Sequence, residues 1–124
     1  MELIRNHKDL KVYNLAFEAA IDIFELSKSF PKEEKYSLTD QIRRSSRSVS
    51  ANIAEAYRKR RYSKAFVSKL SDSEGEAAET QVWLDYSLKC KYITDKDHQT
   101  LYQKYDWIIG KILIMINNPD KWSV

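Results

Sequence analysis

In four separate stretches of the chain, apolar and small residues recur at alternating steps of four and three, and nothing else in the sequence constrains the fold as strongly. Such steps keep side chains on one stripe of an α-helix. The first stripe is Val12, Ala16, Ala19, Ile23, Leu26 and Phe30, and the second is Leu38, Ile42, Ser45, Val49, Asn52 and Ala56. The third is Phe66, Leu70, Ser73, Ala77, Thr80, Leu84 and Ser87, and the fourth Leu101, Tyr105, Ile108, Ile112 and Met115. The spacing predicts helices over roughly 9–29, 37–57, 63–91 and 95–117. Pro31 and Asn117-Asn118-Pro119 are stops, and Ser63 and Thr94 are expected N-caps. Two glycines and two prolines in 124 residues leave little material for the many turns of a β-fold. The expected class is all-α, an antiparallel up-down-up-down four-helix bundle forming one domain over 1–124, its helices crossing at roughly 20°.

The stretch Arg43 to Tyr62 tests this reading, because four serines among basic residues usually mark a linker. Here Ser45 keeps the phase of the second stripe, which a flexible tether has no reason to do. Serine is a mediocre helix former, but on a packed face it is thin and can bond back to a carbonyl one turn earlier. Gly75, inside the third helix, marks a position where a neighbouring helix could approach closely.

Sequence motifs for catalysis are absent: no glycine-rich phosphate loop, nucleophile elbow or zinc-helix motif occurs. Helical bundles host di-iron centres through Glu-x-x-His pairs, but neither His7 nor His98 follows a glutamate at that spacing. Cys90 is the lone cysteine and lies far from both histidines, so neither a disulfide nor a Cys/His metal cage is expected. No cofactor and no small-molecule substrate is implied. No apolar run approaches the length of a membrane span, and the first residues lack the apolar core of a signal peptide. The expected location is the cytoplasm, without membrane partners.

Charge is distributed unevenly. Between Arg43 and Lys69 nine basic residues face the single Glu55, a local charge of +8 that leaves −5 for the rest of a chain with net charge +3. Arg43, Arg44 and Arg47 point away from the second stripe, while Arg58, Lys59, Arg60, Arg61 and Lys64 crowd the turn between helices two and three. Consecutive cations beside Tyr57 and Tyr62 suit contact with a nucleic-acid backbone and its bases; solvated charge, or an acidic surface of another copy, are the alternatives. Asp72, Glu76 and Glu79 form an acidic row on helix three. Glu79 lies nearest the stripe, and a polar network with Gln41, Asn52 and Glu55 is expected for it. Three tryptophans, eight tyrosines and a second apolar row on helix one (Tyr13, Phe17, Ala20, Phe24) exceed what one thin core uses, so a homo-oligomer is expected.

The run Phe30-Pro31-x-x-Glu34-x-Tyr36-x-Leu38-x-x-Gln41-Ile42-Arg43-Arg44-Ser45, followed by Ser48-x-x-x-Asn52-Ile53-Ala54-Glu55, resembles the bacterial family of large-subunit ribosomal RNA intervening-sequence proteins. Lys8-Asp9-Leu10-x-Val12, Phe66, Leu70, Glu79, Leu84 and Tyr92-Ile93 extend the resemblance across roughly residues 8 to 116. It implies an up-down four-helix bundle, often a pentamer, with no established enzymatic activity. Some members are encoded inside insertions in ribosomal RNA genes. A related bundle is the accessory factor of diversity-generating retroelements, a basic pentamer that binds reverse transcriptase and nucleic acid. The family usually has glycine after Asn-Ile-Ala-Glu; Ala56 stands there in this chain, which favours carrying helix two on toward Arg58. The combined expectation is a non-enzymatic oligomeric bundle, a pentamer by resemblance, contacting RNA through its basic surface. A protein-interaction scaffold without nucleic-acid binding is the alternative.

Overall fold

Four helices form in a computed structural model that describes residues 4–122. They are α1 (Lys11–Ser27), α2 (Leu38–Arg58), α3 (Ser63–Lys89) and α4 (Asp95–Asn117), and no strand occurs among the described residues. Short 3-10 turns occupy His7–Asp9, Lys32–Glu34 and Pro119–Lys121.

The helix ends follow from local chemistry. α1 is shorter than the expected 9–29. Asp9 belongs to the preceding turn, where its carboxylate accepts the N–H groups of Arg5 (2.8 Å) and Asn6 (3.3 Å). At the other end Lys28, Ser29 and Phe30 bond back three residues rather than four, tightening the chain before Pro31. α2 runs one residue past its expected end, to Arg58, with no positive φ at Ala56. Ser63 is the first helical residue of α3 rather than its cap; Tyr62 holds the cap position without a side-chain bond. Thr94 does cap α4, in a reciprocal pair with Asp97 that places a carboxylate in the first turn.

α3 ends in a Schellman motif. Tyr92 N–H reaches Ser87 O and Lys91 N–H reaches Leu88 O, both at 2.9 Å. Lys91 takes the left-handed position, φ 64°, that glycine usually fills. Beyond it, Tyr92 donates its phenolic hydrogen to Glu34 at 2.9 Å, tying this turn to the α1–α2 connection. That bond, more than partial desolvation, raises the Tyr92 pKa to about 12. Glu34 also accepts from Ser37, and with Tyr92 this holds its carboxyl below the usual range.

Contacts between successive helices run in opposite directions. From α2 to α3, Arg44 meets Glu79, Val49 meets Ser73 and Glu55 meets Lys69, so one helix descends as the other rises. From α3 to α4, Gln81 reaches Asp106 and Asp85 reaches His98. From α1 to α2, Ser27 meets Arg43, while Tyr57 donates to Ile4 O just before α1. Lys104 of α4 closes the ring on Asp22 of α1 at 2.6 Å. The architecture is an antiparallel up-down-up-down four-helix bundle.

Inside the ring the four stripes meet. Ala16, Ala19, Ile23, Ile42, Val49, Ile53, Phe66, Leu70, Leu84, Tyr105, Ile108 and Ile112 are at most 1% exposed. Each large side chain among them contributes about 1.5–3 kcal/mol by leaving water. Ser45, Ser46 and Ser73 are fully buried too. Ser45 and Thr80 share a hydrogen bond at 2.8 Å, and Ser73 donates to Val49 O at 2.7 Å. These small residues let α2 and α3 approach while satisfying their own hydroxyls. Gly75 plays no such part: it is exposed, and a Cβ there would meet nothing within 4 Å.

Candidate nucleic-acid interface

The basic residues divide by what they touch. Arg44 is committed within the chain. Its guanidinium bonds Glu76 at 2.8 Å and Glu79 at 2.6 Å, and its Nε reaches Gln41 at 3.3 Å. Trp83 Nε1 adds a donor to Glu79 at 3.3 Å. Partial burial pushes the Glu79 carboxyl up, but hydrogen bonding with Arg44, Glu76 and Trp83, together with the Arg44 charge, outweighs it and holds the value below normal. The Arg44 value rises in turn, led by its bond to Glu79.

The expected network around Glu79 is therefore built on Gln41, Arg44, Glu76 and Trp83. Glu55 instead pairs with Lys69 at 2.9 Å, and half-buried Asn52 makes no side-chain hydrogen bond among the described residues. Asp72 is exposed. A cation could have been sought among the arginines of α2, but choosing Arg44 requires the register between α2 and α3.

Arg43 and Arg47 flank one aromatic ring. Their guanidinium carbons lie 4.8 and 5.6 Å from the Phe24 centroid, and Arg43 Nε donates to Ser27 Oγ at 2.7 Å. Phe24 and Ser27 carry no charge, so sequence patterning gave no sign of this role.

The turn between α2 and α3 is different. Arg60 folds back, 3.9 Å over the Tyr57 ring, and donates to Tyr57 O at 2.9 Å. Arg58, Lys59, Arg61 and Lys64 are exposed, and none meets a carboxylate among the described residues. Tyr62, 65% exposed, stands among them. With no side chain capping α3, its first N–H groups open onto the same patch, and their dipole favours an anion there.

No group of three or more metal-ligating side chains is assembled among the described residues, and no described helix is long and apolar enough to cross a membrane. Residues 8–114 match the family described as 23S rRNA-intervening sequence protein. The chain belongs to this family. The chain is also similar to a solved structure, a protein of unknown function from the S23 ribosomal protein family of Bacteroides thetaiotaomicron VPI-5482. It is 30% identical, covers 85% of this chain and 97% of its own, and superposes with a TM-score of 0.77. No curated protein matches. The kinship accounts for the bundle and leaves activity to be argued from the surface.

Proposed function

We propose that this protein is a cytoplasmic, non-enzymatic, self-assembling bundle that contacts RNA through the turn between α2 and α3. The observation that carries the reading is the exposure of Arg58, Lys59, Arg61 and Lys64 without carboxylate partners among the described residues, around exposed Tyr62. Cations attract the phosphate backbone and an exposed aromatic ring offers a base a stacking face. Arg44 drops out of the contacting set, because Glu76 and Glu79 already neutralise it. The family name adds an association with ribosomal RNA genes.

Anisotropy titrations of a labelled single-stranded RNA test this. Four phosphate contacts per subunit give a log–log salt slope of about −3, a loss of roughly fifty-fold between 50 and 200 mM. Replacing Arg58, Lys59, Arg61 and Lys64 by alanine abolishes that slope. No binding at about 50 mM salt, or an unchanged slope in the variant, overturns the reading.

A second reading, a protein-interaction scaffold without nucleic-acid binding, draws on Phe17 and Ile21. Each is 48% exposed, in line with half-buried Tyr13 and Phe24 on α1. Such a stripe suits an interface between copies. Light scattering should then return a multiple of the 14.6 kDa chain, with the pentamer of the resemblance as the expected state. A monomer removes the assembly from both readings.

A further inference from the structure

A groove of about 560 Å³ opens along the outer side of α2, at the end away from the basic turn. Lys35, Tyr36, Thr39, Asp40, Arg43 and Arg47 line it. Thr39, Arg43 and Arg47 are spaced by four and share one helical stripe. Arg44 also reaches the rim, already paired with Glu76 and Glu79. Three other cations therefore face the single carboxylate of Asp40. The volume falls in the range of small-molecule sites.

Two features organise these groups for an anion. Arg43 and Arg47 lie over the Phe24 ring, and Arg43 is further held through Nε by Ser27, which leaves their terminal N–H groups without a carboxylate among the described residues. Guanidinium groups fixed in this way lose little freedom on binding an oxyanion. The second feature is Thr39, only 8% exposed, whose hydroxyl has no hydrogen-bond partner among the described residues. A buried hydroxyl in that state is unfavourable, and threonine in a helix has two χ1 rotamers open to it. Thr39 lines the groove, and its part in the proposal requires a turn about χ1 that brings this hydroxyl to an acceptor there.

We propose that this groove binds a small phosphate monoester, held by Arg43, Arg47 and Lys35 with Thr39 donating to one oxygen. A monoester carries close to two negative charges and three terminal oxygens, against one charge for a backbone phosphodiester. That matches convergent cations better than a passing strand does. Tyr36, 85% exposed at the rim, offers a face to the ring of a nucleoside monophosphate. Arg47 and Arg58 are eleven positions apart, about 16 Å along the helix, so the groove and the basic turn act separately.

Calorimetric titration of the full chain with inorganic phosphate, adenosine monophosphate and a 5′-hydroxyl oligonucleotide tests the proposal. Phosphate and the mononucleotide bind, and the amide NMR shifts they induce cluster at Thr39, Arg43 and Arg47. Arg47→Gln weakens both by roughly tenfold, Thr39→Val weakens both, and Arg58→Ala leaves both unchanged. If only the mononucleotide's advantage over phosphate disappears in Tyr36→Ala, ring stacking is supported as well. Absence of binding by either anion at about 10 mM overturns the proposal. So do shifts that map elsewhere, binding indifferent to Arg47→Gln and Thr39→Val, or binding of the oligonucleotide alone.

Discussion

Arg44 and Glu79 join α2 to α3 through a charge-assisted hydrogen bond of 2.6 Å. The sequence places Arg44 among the ligand-binding cations and Glu79 in a polar network with Gln41, Asn52 and Glu55, without joining the two. The register of the two helices instead makes them partners, with Glu76, Gln41 and Trp83 completing the cluster.

The Glu79 carboxyl has a lowered folded value, so its stabilisation is present above the ordinary carboxylate value and fades as pH falls through the lowered one. Glu79→Gln is expected to cost about 1 kcal/mol at pH 7, a modest figure because both side chains are partly solvated. The gap to the unsubstituted chain narrows below about pH 4. Urea melts at both pH values measure it; an equal gap in acid would show that the ionised carboxylate is not its source.

Tyr105 is fully buried, and its hydroxyl has no hydrogen-bond partner among the described residues. Burial, with a smaller contribution from Asp22, pushes the phenol far above its normal range. Tyr105→Phe should leave stability unchanged or raise it by up to about 1 kcal/mol, since an unbonded polar group leaves the core. Tyr105→Ala should lose about 3–5 kcal/mol. A clear drop in Tm for the phenylalanine variant would mean that the hydroxyl is bonded in solution.

Lys91 occupies a left-handed position at φ 64° while closing the Schellman motif of α3. Glycine adopts that conformation without a Cβ clash, so Lys91→Gly should stabilise by about 0.5–1 kcal/mol. Thermal melts decide, and a lower Tm would mean that the lysine side chain does more than tolerate the turn.

Most of the bundle was legible because its stripes are regular. All seven stripe residues of α3 and all five of α4 are buried. In α2 the regular steps name Asn52, yet the buried residue is its neighbour Ile53. The buried face of α2 is wider than that stripe: Thr39, Ser46 and Ile53, seven residues apart, form a second buried row beside it, and Asn52 falls at the far edge. Tyr57, seven residues after buried Ser50, lies on the same widened side and reaches Ile4 O. Gln81 is buried beside the α3 stripe because it can bond Tyr102 O and Asp106, partners that only the fold brings near. The basic surface was the least legible part. Cations could be located by charge alone, but separating paired Arg44 from exposed Arg58, Lys59, Arg61 and Lys64 depends on neighbours far away in sequence.

The Lys104–Asp22 seam bears on how the chain finds this arrangement. Neighbouring helices meet through hairpins, as Ser73 and Val49 do across 24 residues, whereas Lys104 and Asp22 are 82 apart. Closing the longer loop costs about 1 kcal/mol more conformational entropy if made directly from the open chain. Once the hairpins have formed, most of that distance has already been folded away. The order of helices thus lets cheap local closures precede the α1–α4 seam, the pattern expected of helical bundles whose contacts are mostly local.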